Sequence, residues 1–201
     1  MPITIDYYAT LISPWAYLGH SRLCKLAEAY GATLNFKPAD YGAIFNATGG
    51  LPLAKRPPAR QQYRLQELKR WRDDLGIPLN LHPEFFPVPH DTASRMCLAA
   101  ADETTGDDLR LAGAFLAAVW THDQDISNTE TLVQIANRHG LNGLELLAKA
   151  AQPKFVEKYK ANTDEAIAAG VFGAPSYVIG DDIFWGQDRL SFVEQILKAE
   201  A

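Results

Sequence analysis

Strand signals occupy only the two ends of this 201-residue chain, and what lies between them reads as helix or loop. Ile3 to Tyr8 is a β-branched and aromatic run closing on a turn-like segment, the pattern of a buried strand. A helix follows at once, because Ser13 then Pro14 is an N-cap with proline at the first helical position, where its fixed φ helps and its missing N–H costs nothing. Leu23, Leu26, Ala27 and Tyr30 recur at helical spacing, and Gly31 is placed to stop that helix in the left-handed conformation. Leu34 to Ala39 reads as a second strand, broken at Pro38, and a parallel pair needs the helix between them as its crossover. At the far end Tyr177 to Gly180 and Ile183 to Trp185 flank Asp181 and Asp182 as a hairpin. Leu190, Val193, Ile196 and Leu197 then supply the apolar face of a closing helix. The order is βαβ, a long helical middle, then ββα.

Within the middle, Tyr41 to Leu53 reads as loop, with Gly42, Gly49, Gly50 and Pro52. Pro57 and Pro58 precede a helix whose Leu65, Leu68, Trp71 and Leu75 recur on one face while Arg56, Arg60 and Arg64 lie four apart on another; Gly76 and Pro78 end it. Leu79 to Asp91, with Pro83, Pro87, Pro89, Phe85 and Phe86, predicts a rigid aromatic loop. Segments near 92–104, 107–121, 128–139 and 143–151 read as helices, Ser127 with Glu130 forming a capping box for the third.

Composition removes several function classes. With 19 basic against 24 acidic residues the net charge is −5, the wrong sign for a general nucleic-acid binder. No stretch approaches the ~20 apolar residues of a membrane span, and Asp6 interrupts the first apolar run well short of a signal segment. Cys24 and Cys97 form neither a disulfide framework nor a C-x-x-C pair, which points to a reducing compartment and a cytoplasmic protein; both are expected to pack as small hydrophobes. His20, His82, His90, His122 and His139 show no metal-ligand spacing, so no metal site is expected, and His82 and His90 read as surface-loop histidines. Against the overall charge, residues 55–72 carry a net +6, suited to attracting anions.

The layout is that of an α/β thioredoxin-like fold carrying a large all-helical insertion. Ala174-Pro175 opens the third strand within VFGAPSYVIG, where that fold places a cis-proline. SPWAYLG after the first strand, FNATGG, RW in the insertion helix, VFGAPS and FWGQDRL carry a resemblance that spans nearly the whole chain. On these motifs the chain resembles the 2-hydroxychromene-2-carboxylate isomerase family and the related kappa-class glutathione transferases of the DsbA-like group. The resemblance implies a thioredoxin-like domain at 1–41 and 165–201 and a helical insertion domain at 42–164. DsbA-like oxidoreductases carry C-x-x-C where this chain has Ser13-Pro14-Trp15-Ala16, and without sulfur at either position the protein itself cannot exchange disulfides.

What takes the cysteine's place, on this resemblance, is the thiolate of glutathione. It would accept the Ser13 hydroxyl at a helix N-terminus whose unpaired N–H groups favour negative charge. Read by itself Ser13 is an N-cap, and the two roles are compatible. Ala174, beside Pro175, would pair its main chain with the cysteinyl moiety. Gly186, Gln187, Asp188 and Arg189 would hold the γ-glutamyl end, Asp188 pairing with its ammonium; read by themselves, Asp188 is a helix cap and Arg189 a solvated cation. Trp185 is expected as core or site wall. For a small anionic aromatic substrate the candidates are the walls Trp15, Phe45, Phe85 and Phe86, with Arg56 and Lys55 as cations. Asn46 and Gly50 stand where relatives commonly carry lysine and asparagine. The implied reaction is glutathione-dependent isomerisation of 2-hydroxychromene-2-carboxylate, or a close analogue, to the trans-o-hydroxybenzylidenepyruvate in aromatic hydrocarbon degradation, by a homodimer. The alternatives are a kappa-like transferase and a non-catalytic glutathione-binding module.

Overall fold

The computed structural model describes residues 3–199. In chain order its elements are β1 (Thr4–Ala9), α1 (Pro14–Tyr30), β2 (Thr33–Pro38), α2 (Tyr41–Thr48), α3 (Pro58–Leu75), α4 (Asp91–Ala101), α5 (Asp107–Trp120), α6 (Thr129–Arg138), α7 (Gly143–Ala150), α8 (Pro153–Ala168), β3 (Ser176–Ile179), β4 (Asp182–Trp185) and α9 (Leu190–Ala199). The four strands form one sheet in the order β2-β1-β3-β4, in which β1 and β2 are parallel and the pairs β1–β3 and β3–β4 antiparallel. This is the expected thioredoxin-like arrangement. The two sequence-distant ends of the chain meet at the β1–β3 pairing, where Tyr7 lies opposite Tyr177.

Alternation along β1 sends its side chains to two separate cores. Ile5, Tyr7 and Ala9 face a large core shared with α1 and α9 and continuing through α4 and α5, whereas Tyr8 faces a smaller one with Tyr41, Ile44, Ala166 and Val171. The Tyr7 ring centroid lies 5.3 Å from that of Phe36 and 5.6 Å from that of Tyr177, so aromatic packing fastens β2, β1 and β3 together. In the insertion Met96, Leu111, Phe115, Trp120 and Leu132 are fully buried. Side chains like these contribute roughly 1.5–3 kcal/mol each. The helices of the insertion thereby extend the same core, packing on the sheet side chiefly through α1. Among the described residues no helix is long and apolar enough to cross a membrane.

Three helices depart from the sequence reading. Residues 41–53 were expected as loop, but 41–48 are α2: Asp40 caps it, accepting from the N–H groups of Gly42 (2.7 Å) and Ala43 (3.3 Å), and Gly49 at φ 78° ends it. The glycine content hid a complete pair of caps. The helix α8 was not anticipated, although Pro153 at its first position and Phe155, Tyr159, Asn162 and Ala166 on its buried side carry the ordinary signals. The cap of α6 is Asn128, whose Oδ1 accepts from the Thr131 N–H at 3.1 Å; Ser127 bonds Asp125 instead, and Glu130 turns to Gln134. The unit edges drawn at 41/42 and 164/165 fall inside α2 and α8, which run unbroken across them.

Candidate functional site

The site is built outward from the start of α1. After β1 ends, Ser13 N–H donates to the Thr10 carbonyl at 3.0 Å, closing the turn that presents Ser13 as N-cap. Its Oγ accepts from the Ala16 N–H at 3.2 Å and donates to the Ala174 carbonyl at 3.5 Å, and the residue is 7% exposed. Pro14 has no N–H and Ala16 is capped, so the Trp15 N–H is the orphan donor of this first turn. A hydroxyl, a free main-chain donor and the positive pole of a 17-residue helix thus converge at one point. This donor set suits a thiolate or another small anion.

The opposing wall is the 172–175 loop. The Ala174–Pro175 peptide is cis. Gly173 O accepts both the Tyr41 hydroxyl (3.2 Å) and the Ser176 hydroxyl (2.7 Å), and Pro175 O accepts the Gly186 N–H at 2.9 Å. Burial raises the Tyr41 phenol well above its ordinary range, so it remains a donor to that loop. Trp185, half exposed at 52%, stands edge-on to Phe172 with centroids 4.8 Å apart and covers Gly173, where any Cβ would strike the indole. Gly186 holds φ 109°, a conformation open chiefly to glycine, and turns the chain toward α9. Behind it Gln187 is 1% exposed and takes Arg22 at its side chain, so that side chain serves the α1 packing. Asp188 and Arg189 pair with each other at 3.0 Å, both partly exposed.

On the other side of Trp15 lies a cleft of about 340 Å³ bounded by Trp15, Arg56, Arg60, Tyr63, Arg64 and Glu67. Of the expected substrate-side residues it brings together Trp15 and Arg56. Arg56 Nε donates to the Leu51 carbonyl at 2.8 Å, which takes part of its fork. Lys55 and Asn46 are exposed and line no part of the cleft. Phe45 packs edge-on to Tyr41 at 6.0 Å and against Gly50, and Phe85 is partly buried outside the cleft. Phe86 lies beneath the cleft, its ring 4.9 Å from Trp120 and 5.4 Å from the Arg64 guanidinium carbon.

Two histidines emerge with partners that sequence reasoning missed. His90, expected on the surface, sets Nε2 2.8 Å from Thr10 Oγ1 and Nδ1 3.3 Å from Ser94 Oγ, bracing the turn before Ser13; burial pushes its pKa down. His20 sets Nε2 2.9 Å from the Leu109 carbonyl of the insertion and Nδ1 3.4 Å from the Tyr7 hydroxyl, and burial lowers it to about 4. Neither sits at a recognisable motif spacing, and only the packing of distant elements shows them.

Comparison with known proteins bears on the family and the fold. A family model described as a DSBA-like thioredoxin domain matches residues 4–198. The 2-hydroxychromene-2-carboxylate isomerase of Sphingobium xenophagum is 31% identical over 98% of this chain and 99% of its own length. Glutathione S-transferase kappa 1 of Homo sapiens is 26% identical over 98% of this chain and 92% of its own. A solved 2-hydroxychromene-2-carboxylate isomerase structure superposes with a TM-score of 0.84 at 24% identity, covering 98% of this chain and 95% of that one.

Proposed function

The chain belongs to the DsbA-like thioredoxin family, in the group that holds 2-hydroxychromene-2-carboxylate isomerases and kappa-class glutathione transferases, and from that premise we propose that it is a glutathione-dependent isomerase of 2-hydroxychromene-2-carboxylate or a close analogue. The observation that carries the proposal is the Ser13 hydroxyl at the α1 pole, facing Ala174 beside a cis-proline, where the oxidoreductases of this fold carry a cysteine. Bound glutathione supplies a thiolate able to add reversibly to a conjugated carbon and to leave again after the double bond has turned. Ser13 donates its hydrogen bond to that sulfur in place of Ala174 O, and the helix pole keeps the sulfur ionised. The Ala174 main chain aligns the cysteinyl backbone as an added strand would. Asp188, with the donors before α9, holds the γ-glutamyl end. The arginines of the α3 cleft give the adjoining space the sign needed for a carboxylate substrate.

The same reading places the enzyme in a reducing cytoplasm as a homodimer. Cys24 and Cys97 are free thiols, and burial raises Cys24 to about 11 and Cys97 well above the usual thiol range, so neither competes as a nucleophile. The similarity to kappa 1 over nearly the full length supports a second reading, conjugation of an electrophile. One assay separates them. Incubation with a hydroxychromene carboxylate should isomerise it with catalytic, unconsumed glutathione and stop when glutathione is withheld. Stoichiometric loss of glutathione to a stable thioether selects the transferase, and no turnover with either substrate class leaves a glutathione-binding module.

A further inference from the structure

The cleft beside Trp15 carries an unbalanced charge. Arg56, Arg60 and Arg64 stand four apart, Arg60 and Arg64 on successive turns of α3, and all three line the same cavity. Other arginines hold carboxylates: Arg70 with Glu67, Arg72 with Asp73, Arg110 with Asp107, Arg189 with Asp188. Among the described residues none of the three cleft arginines has a carboxylate within 4.0 Å, and the one acid lining the cleft, Glu67, is the one given to Arg70. Like charges held close in a partly desolvated place oppose folding unless an anion offsets them.

The three are not equivalent. Arg60 is exposed, and Arg56 has given its Nε to Leu51 O. Arg64 is partly buried, its guanidinium carbon 5.4 Å from the centroid of Phe86 and 5.8 Å from that of Trp120. Aromatic faces hold a guanidinium plane in one orientation while leaving its N–H edges free for a planar oxyanion. Burial, then the charge of Arg56, pushes Arg64 down to about 10, as expected of a cation with no counter-ion.

We infer that Arg64 is the specificity-determining anchor for a carboxylate on the second, conjugated substrate, with the Trp15 and Tyr63 rings bounding the space for its flat body and Arg60 adding charge at the mouth. The inference rests on the proposed activity, since it takes the Ser13 face to be where the substrate reacts. A carboxylate rather than a bulkier anion is indicated because a planar fork matches it with two parallel hydrogen bonds. The second substrate rather than glutathione is indicated because Trp15 and Tyr63 offer ring surfaces, for which a tripeptide without a ring has no use.

The test compares Arg64→Gln, Arg64→Lys and Arg56→Gln. For Arg64→Gln, kcat/KM toward the hydroxychromene carboxylate should fall about 10- to 100-fold, mostly through KM. Activity toward its neutral methyl ester should stay within about threefold and the KM for glutathione unchanged. Arg64→Lys should recover part of the loss, and Arg56→Gln should lose less. Calorimetric binding of cinnamate to the free enzyme gives a readout that needs no turnover. Arg64→Gln should weaken it tenfold or more, with thermal unfolding checking that the fold is intact. Equal losses for acid and ester, a raised KM for glutathione instead, or unchanged cinnamate binding would overturn the anchor. Isomerisation that survives Arg64→Gln intact overturns the anchor but leaves the activity standing. Cinnamate binding that depends on Arg64 in a protein that isomerises nothing overturns the activity but leaves the anchor.

Discussion

On the sheet side of Ser13 the groups available to a ligand are largely main chain: the Trp15 N–H, the Ala174 peptide beside its cis-proline, and the turn at Gly186. On the α3 side they are side chains, three arginines and two aromatic rings around a cleft of about 340 Å³. Main-chain donors come with the fold and persist through many substitutions, whereas the charge and shape of the cleft depend on single residues. On the proposed activity the two sides have different tasks, the sheet side taking glutathione and the α3 side deciding what else enters.

The largest expected effect concerns the seam between α1 and the insertion, on which both sides are built, where His20 reaches the Leu109 carbonyl of α5. Its folded pKa of about 4 lies below the unfolded value near 6.5, so the unfolded chain takes up the proton first as pH falls. Stability from this group is complete above about pH 6.5 and declines toward pH 4, by about 3 kcal/mol. Urea unfolding of the wild type and His20→Gln at pH 7.5 and 4.5 should show the wild type losing more. Parallel curves would mean that the seam is indifferent to this proton.

Ser13→Ala comes next. Losing a hydrogen bond to a charged sulfur costs about 2 kcal/mol, roughly thirtyfold in kcat/KM. Ultraviolet titration of the bound thiolate should show its pKa raised, and an unchanged titration would reduce Ser13 to a cap. A smaller effect is expected of Asp188, which already shares its charge with Arg189 at a partly exposed site. Asp188→Asn should raise the KM for glutathione by about three- to fivefold with little change in kcat, in line with the modest worth of exposed pairs. Loss of kcat with KM unmoved would remove it from the binding end. The smallest effect is expected of Ala174→Val, within about twofold for glutathione, because a main-chain contact is blind to two added methyl groups. A tenfold loss there would break the contrast between the two sides.

Local sequence determined the ends of this molecule. The Ser13-Pro14 start and Gly31 stop of α1, the short strands and the final hairpin follow from chemistry among near neighbours, and the structure has them where the spacing puts them. Local reading failed where opposing signals overlapped, as at α2, whose glycines outweighed the Asp40 cap, and at α6, where Asn128 rather than Ser127 reached the first turn. Tertiary structure alone decided the rest. Ser13 meets Ala174 across 161 residues, Tyr41 holds Gly173 across 132, and His90 reaches Thr10 across 80. The same is true of Arg64, whose seat depends on Phe86 and Trp120 arriving beneath it from other parts of the chain, while the pairing of Glu67 with Arg70 is local to α3. A side chain's type is written in the sequence, but its charge state and availability depend on what surrounds it, and those neighbours are brought together only when the cores close.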